Sequence, residues 1–342
     1  MTNKSTGSLI PLALGVGLVF AVRAVIRKKR AFDLDGKVVL ITGGSRGLGL
    51  VLARQLAQQN AKIAICSRQD EQLDRAEAEL RGAGADVLAL TCDMTVQSDV
   101  ERMIKRVQSH FGHIDVLINN AGIIQVGPLE NLSLHDFEEA MNTNFYGPLY
   151  AVMAVLPQMR QRKQGRIVNI ASVGGKVSLP HMLPYSASKF ALGGLSKGLH
   201  TELSRHGIVV TTVFPGLVRT GSPRNVPVKG NHEAEYAWFK TADSLPLLSA
   251  TAETTADQII GALKKGTAEL VTTLPGKLLS LMDEVFPELT ADIFSLTNRL
   301  LPRAATDAAG LQRRYGHEVE TGASRNVFAK NSDEAAERNN EM

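Results

Sequence analysis

Val38-Val39-Leu40-Ile41-Thr42-Gly43-Gly44-Ser45-Arg46-Gly47-Leu48-Gly49 is the stretch on which the fold turns. It starts as a short apolar run, the mark of a buried parallel strand. The run breaks at glycines, and apolar periodicity resumes through Leu50, Leu52, Ala53, Leu56 and Ala57 as a helix. Strand, glycine turn and helix together present free backbone N–H groups and a positive dipole end to a phosphate. Gly43 allows the tight turn, Gly47 the close approach of a pyrophosphate, and Gly49 close packing of helix on sheet. The spacing is G-x-x-x-G-x-G, not the commoner dinucleotide spacing, and a glycine cluster alone is often only a turn.

Outward from this turn, strand and helix patterns alternate. Apolar strands are expected at residues 62–67, 86–93, 115–122, 166–172, 208–214 and 269–273. Helices are expected at 69–80, 96–111, 133–162, 183–205 and 254–265. Near-continuous apolar strands alternating with helices predict an α/β fold: a doubly wound, mostly parallel seven-stranded sheet covered on both faces. No internal repeat and no break marks a second domain. Residues 217–250, rich in Pro, Gly and aromatics, interrupt the alternation where such folds bind ligands, at the carboxyl ends of the strands.

Four segments follow: a membrane anchor with its basic flank (1–30), the catalytic α/β domain (31–275), an apolar helical extension (276–302) and a polar tail (303–342). Residues 8–26 are almost wholly apolar and approach the ~20 residues needed to cross a hydrocarbon core. Lys4 precedes the run, while Arg23, Arg27, Lys28, Lys29 and Arg30 attend its end, which predicts an uncleaved anchor with the catalytic domain cytoplasmic. A helix packed on the domain or on a partner is the alternative. The 276–302 extension has helical apolar spacing and could cover the cleft, pair with another subunit or lie on a membrane. The tail is polar and is expected to be disordered.

At 342 residues and 44% apolar the chain has ample material for a core. Its formal charge of +4 lies largely in residues 27–30, so no nucleic-acid footprint is expected. Cys66 and Cys92 are too few for a disulfide framework or a thiolate zinc site and read as buried thiols. No carboxylate–histidine spacing suggests a metal; His110 and His113 are three apart, but at a helix end. No G-x-S-x-G elbow surrounds Ser172, Ser186 or Ser188, which removes a hydrolase.

Chemistry concentrates in Tyr185-Ser186-Ala187-Ser188-Lys189. A Tyr and a Lys four apart share one helix face, and a nearby ammonium favours phenolate, lowering the tyrosine pKa toward proton-transfer range. Ser172 ends the fifth strand, where its hydroxyl would emerge at the ligand edge. Asn144 falls inside a helical region, where Asn is usually a solvated face or a local bend. His181 precedes Tyr185 in a loop; it could line the substrate pocket or stand in solvent.

The turn at residues 42–49, Asn119-Asn120-Ala121-Gly122, Ser172, Tyr185-x-x-x-Lys189 and Pro215-Gly216 together resemble the short-chain dehydrogenase/reductase family, in its order and on the expected elements. The resemblance covers residues 33–275. It implies Tyr185 as acid/base toward a carbonyl or alcohol oxygen, with Lys189 lowering its pKa and binding the nicotinamide ribose. It implies Ser172 as the group that holds the carbonyl oxygen and Asn144 as anchor of a water linking Lys189 to solvent. For the cofactor it implies Gly43, Ser45, Arg46, Gly47, Leu48 and Gly49 in the turn, Asp93 at the adenine and Asn119 beside it. Ala121, Gly122, Tyr185, Lys189, Pro215, Gly216 and Thr220 complete the cofactor set. A homodimer or homotetramer through helices is also implied.

Cofactor choice has a physical basis. An acidic residue after the second strand would hold the ribose 2′-hydroxyl of NAD and repel a 2′-phosphate. Ser67-Arg68 stand there instead, with no carboxylate before Asp70, and Arg46 offers a second guanidinium from the turn. Two arginines on one phosphate favour NADP(H) over NAD(H). The expectation is an NADP(H)-dependent oxidoreductase acting on a carbonyl/alcohol pair, lipophilic if the anchor is real. Leu179, Pro180, Met182 and Leu183 before Tyr185 fit an apolar pocket. A non-catalytic NADP(H) sensor or scaffold is the alternative.

Overall fold

Seven strands follow the expected apolar runs: β1 (Val38–Thr42), β2 (Lys62–Ser67), β3 (Val87–Thr91), β4 (Val116–Asn119), β5 (Gly165–Ile170), β6 (Ile208–Phe214) and, after three short strands, β10 (Glu269–Val271). In the computed structural model, which describes residues 30–245, 249–322, 324 and 329–342, they form one sheet in the order β10-β6-β5-β4-β1-β2-β3. Every pairing in it is parallel. The chain winds one way from β1 through β2 to β3 and the other way from β4 outward. The reversal leaves a crevice above the carboxyl ends of β1 and β4.

Helices cover both faces because each has an apolar stripe to bury. On one face α1 (Gly47–Ala57), α2 (Asp70–Gly82) and α8 (Ala252–Lys265) pack Leu50, Leu56, Leu73, Ile259 and Leu263 on Val39, Ile41 and Ile63. On the other, α3 (Gln97–Phe111) and α5 (Gly147–Arg162) pack Ile104, Val107, Val152 and Val155 on Leu40, Leu117 and Ile167. Burying each such side chain contributes about 1.5–3 kcal/mol. Cys66 and Cys92 are buried free thiols. The expected helix over 133–162 is interrupted: α4 (Leu134–Met141) joins α5 through a π-helical turn at Asn142–Tyr146. α6 (Leu183–Leu203) follows β5.

The 217–250 interruption forms a cap over the crevice, built of β7 (Leu217–Arg219), β8 (Pro227–Val228) and α7 (His232–Ser244). β7 pairs with β9 (Ser249–Thr251). A separate apolar cluster of Val126, Met182, Val226, Tyr236 and Phe239 holds α7 against the loop before Tyr185. The 276–302 extension is two helices, α9 (Leu274–Val285) and α10 (Pro287–Leu300), parted at Phe286 because Pro287 cannot continue a helix as a donor. Leu278, Leu281, Val285, Leu289, Leu296 and Leu300 are exposed on them.

The tail corrects the expectation of disorder. β11 (Arg314–Tyr315) pairs antiparallel with β8, and α11 (Ala329–Arg338) buries Ala335 and Ala336. Its polar composition is matched to charges in the body. The fully buried Lys240 ammonium pairs with Glu320 and with Asp333 at 2.9 Å, and Arg313 pairs with Asp136 and Glu139. Composition reports too little apolar surface to drive folding, but these ion pairs supply the anchorage that composition does not count.

The anchor expected at 8–26 lies outside the described residues. Among the described residues, no helix is long and apolar enough to cross a membrane.

Candidate active site

The glycine turn is fixed from β4. Thr42 Oγ1 accepts from the amides of Asn120 (3.0 Å) and Ala121 (3.1 Å), and Asn120 Nδ2 donates to the Thr42 and Gly43 carbonyls at 3.1 Å each. Gly43 has φ +65°, and a Cβ there would meet the Ala121 backbone at 2.9 Å. Gly47 has φ +55° and opens α1, while any Cβ on Gly49 would collide with the Gly43 carbonyl. Arg46 occupies the N-cap of α1 without capping it, and the first amide of the helix, that of Gly47, donates instead to the Asn339 carbonyl at 2.9 Å.

That cleft has a volume of about 730 Å³ and runs from the turn across the carboxyl ends of the strands. Gly43, Ser45, Arg46, Gly47, Leu48, Arg68 and Asp93 line one end, and Ala121, Gly122, Pro215, Gly216 and Thr220 its middle. The far end is apolar, with Leu179, Pro180, Met182, Trp238, Phe239, Leu279, Phe294 and Leu301. Asp93 Oδ1 accepts from the Thr95 amide (2.9 Å) and hydroxyl (2.8 Å), which fixes the turn into α3. Asn119 departs from its expected place beside the adenine. It is buried beneath the cleft, where its Nδ2 donates to Asn169 Oδ1 at 2.8 Å across the sheet, and Asn120 takes the wall. Asn119 is the last residue of β4, and Asn120, the first beyond it, sends its side chain to the glycine turn instead.

The four expected catalytic residues converge from three elements. Ser172 leaves β5 in extended conformation, accepts the Gly174 amide at 3.0 Å and lines the cleft beside Tyr185, whose phenol its hydroxyl favours in the ionised form. Tyr185 lies in the first turn of α6, and Lys189 one turn later. The Lys189 ammonium donates to the Ile170 carbonyl at 2.9 Å and lies 5.8 Å from the centre of the Tyr185 ring. Asn144 is fully buried, contrary to a solvated helix face. Its Oδ1 accepts from the Ile123 amide (2.9 Å), and its Nδ2 donates to the Ile123 carbonyl (3.0 Å) and Ser188 Oγ (2.9 Å). The π turn swings it inward; such turns recur at functional sites. Gly122 leaves room for this meeting: a Cβ there would sit 2.8 Å from Asn144 Oδ1 and 3.2 Å from Lys189 Nζ.

Burial pushes the Tyr185 phenol up, opposed by its hydrogen bond with Ser172, so the phenol is the protonated partner in this geometry. Burial lowers Lys189 to about 8. Lys189 Nζ donates to the Ile170 carbonyl and not to the phenol, although it stays 5.8 Å from the ring centre. The protonated phenol is the form that a carbonyl reductant needs.

Two features escape a reading of spacing. His181 neither lines the pocket nor stands in solvent. It is buried at φ +59° with Nδ1 2.9 Å from both Glu235 oxygens, and Trp238 Nε1 donates to the same carboxylate at 2.7 Å. This triad ties the wall before Tyr185 to α7. Asp243 lines the cleft with its carboxyl raised to about 7 by burial, Arg219 opposing and Glu341 adding to the rise.

Among the described residues no cluster of His, Cys, Asp and Glu could hold a metal ion. A dinucleotide does fit. The cleft offers a glycine without a side chain at Gly47, a helix N-terminus and two arginines, and the chain's own Asn339 carbonyl and Glu341 carboxylate already stand on the Gly47 amide at 2.9 Å and on Arg46 at 3.3 Å.

A Rossmann-type sheet with a Ser–Tyr–Lys–Asn constellation at its switch point defines a dinucleotide-dependent oxidoreductase class. Comparison with known proteins agrees: the short chain dehydrogenase family model matches residues 37–229. A fatty acyl-CoA reductase of Acinetobacter baylyi is 33% identical over 284 residues, 82% of this chain and 90% of the relative. Dehydrogenase/reductase SDR family member 7B of Bos taurus is 29% identical, covering 91% and 93%. Among solved structures, actinorhodin polyketide ketoreductase with NADPH matches at TM-score 0.62 and 31% identity, covering 70% of this chain and 95% of that one. A short chain dehydrogenase/reductase of Burkholderia phymatum in complex with NAD matches at TM-score 0.70 and 26% identity, covering 75% and 96%. The chain belongs to the short-chain dehydrogenase/reductase family and is an oxidoreductase of that fold.

Proposed function

We propose that this enzyme is an NADP(H)-dependent oxidoreductase that interconverts a lipophilic ketone or aldehyde and its alcohol. One observation carries this reading: Ser172 and Tyr185 meet where the apolar end of the cleft joins its glycine and arginine end. NADP(H), when bound, supplies or accepts the hydride. Tyr185 gives its phenolic proton to the carbonyl oxygen in reduction and takes it back in oxidation. Ser172 holds that oxygen and stabilises the charge that develops on it. Lys189 binds the ribose, and Asn144 anchors a water that links Lys189 to solvent, the route by which the tyrosine is reprotonated. Arg46 and Arg68 take the 2′-phosphate with charge-assisted bonds.

The apolar wall supports a lipophilic substrate. Leu279, Phe294 and Leu301 face the cleft from α9, α10 and the residue after it, while the outer leucines of the two helices are exposed. A helix pair with one apolar side on a pocket and another outward suits a protein working at a lipid surface, with residues 8–26 as the anchor and the domain on the cytoplasmic side. The reductions named for the bacterial relatives, of a fatty acyl-CoA and a polyketide, point to the same substrate class. Leu134, Tyr146, Met153 and Phe190, exposed on α4, the π turn, α5 and α6, suit a homodimer or homotetramer. The convergence of Tyr185, Ser172, Lys189 and Asn144 disfavours a non-catalytic sensor.

The test is turnover of NADPH and NADH against long-chain aldehydes and ketones, with the wild type and Arg68→Asp. NADPH should be preferred, and the substitution should shift preference toward NADH. An unchanged ratio would remove the arginines from cofactor selection, and absence of turnover on every carbonyl would remove the substrate class.

A further inference from the structure

The final residues of the chain run into the phosphate end of the cleft. After α11 the backbone turns at Asn340, φ +58°, and the Glu341 amide closes the turn on the Ala336 carbonyl at 2.9 Å. Three consecutive residues then engage the glycine turn. The Asn339 carbonyl accepts the Gly47 amide at 2.9 Å. Asn340 Nδ2 donates to the carbonyls of Ser45 (2.8 Å) and Gln72 (2.9 Å). The buried Glu341 carboxylate lies 3.3 Å from Arg46 and accepts from Asn225 Nδ2 at 2.8 Å. Glu341 also fills the space that Gly47 leaves, since a Cβ on Gly47 would come within 2.6 Å of its Oε1. Arg54 and Arg75 grip the segment from outside, Arg54 Nη2 on the Arg338 carbonyl at 2.9 Å and Arg75 Nε on Asn340 Oδ1 at 2.8 Å.

These are the groups that a dinucleotide needs at its phosphates: the first amide of α1, the Arg46 guanidinium and the open face of Gly47. One amide and one guanidinium face cannot serve a carboxylate and a phosphate in the same space. The docked segment is not held without opposition. It buries the Glu341 carboxyl, and burial pushes that group up against the opposing Arg46 charge and Asn225 hydrogen bond. A carboxylate held out of water forfeits its hydration, which lowers the cost of release.

We propose that residues 339–342 are an intramolecular competitor of the cofactor: Glu341 stands on Arg46 and Gly47 in place of a phosphate, and the dinucleotide binds only when this segment lifts away. The proposal rests on the reading of the cleft as a dinucleotide site. Its signature is a conformational tax, in which apparent affinity falls in proportion to the fraction of molecules whose cleft is open.

NADPH is titrated by fluorescence into the full chain, a chain ending at Arg338, and full-length Glu341→Gln, which keeps the side-chain size and an acceptor for Asn225. Hydrogen exchange at the amides of Gly47 and Leu48 is followed in the same proteins without cofactor. Expected are at least ten-fold tighter NADPH binding by the shortened chain, an intermediate gain for Glu341→Gln, and faster exchange at Gly47 in both variants. A synthetic peptide of residues 334–342 should weaken NADPH binding to the shortened chain. Equal or weaker binding after truncation, or unchanged exchange at Gly47, would overturn the proposal. NADPH binding by neither protein would remove the dinucleotide reading and the competitor with it, and exchange at Gly47 would still report separately whether the segment docks.

Discussion

The Lys189 ammonium donates to the Ile170 carbonyl at 2.9 Å and not to the Tyr185 phenol four residues before it. A charge held on the end of β5, fully buried and 5.8 Å from the ring centre, is a cation placed for a ligand above the strand. Burial lowers it to about 8 from 10.5, so the folded ligand-free protein holds this proton less tightly than the unfolded chain. Between these values the unfolded chain binds more protons, and stability rises with pH. The penalty is fully present below about pH 8 and relieved toward 10.5. Urea unfolding of ligand-free protein at pH 7 and pH 10 should show a rise that Lys189→Met lacks.

Asp243 has the opposite sign. Its carboxyl is raised from 3.8 to about 7, chiefly by burial, so the folded state holds the proton more tightly. Its contribution is fully present below the unfolded value and is lost as pH rises through about 7. Asp243→Asn should flatten that slope in thermal melts taken between pH 4 and 8, on the order of a few kcal/mol across the range.

Ser172 lines the cleft beside Tyr185 at the end of β5. Ser172→Ala should lower kcat about 10²–10³-fold, the loss typical of one oxyanion donor, with NADPH affinity preserved. A loss confined to KM would instead make Ser172 a binding residue.

Lys240, fully buried, is paired to the tail through Glu320 and Asp333. Glu320→Ala combined with Asp333→Ala should destabilise the protein by about 3 kcal/mol, the cost of leaving a buried charge unpaired. Differential scanning fluorimetry checks this. An unshifted melting temperature would mean that the 303–342 segment is not part of the folded unit.

What the chain discloses without coordinates depends on how far partners lie apart. Gly43, Gly47 and Gly49 act within one turn, and Tyr185 with Lys189 within one helix, so spacing alone exposes them. Ser172 needs only the end of a recognisable strand. Asn144 was hidden because its burial comes from a π turn, which no periodicity announces. His181 depends on Glu235, 54 residues on, and Ser45 on Asn340, 295 residues on. Polar composition could not reveal a tail whose charges are complementary to buried ones in the body. The direction of Lys189 is hidden for the same reason: four residues put it beside Tyr185, but its hydrogen bond goes to the Ile170 carbonyl, 19 residues back at the end of β5.

Exposed Leu278, Leu281, Leu289 and Leu296 on α9 and α10 should carry binding to a lipid surface. A chain starting at Phe32 should float with anionic vesicles, and Leu281→Glu with Leu289→Glu should abolish flotation without altering NADPH binding. Flotation that survives both changes would remove this face from membrane contact.

The most direct measurement compares wild type with Tyr185→Phe, monitoring NADPH oxidation with a long-chain aldehyde or ketone alongside NADPH binding. With Tyr185 as proton donor, kcat should fall about 10²–10⁴-fold while NADPH still binds. Turnover that persists in Tyr185→Phe would contradict the account.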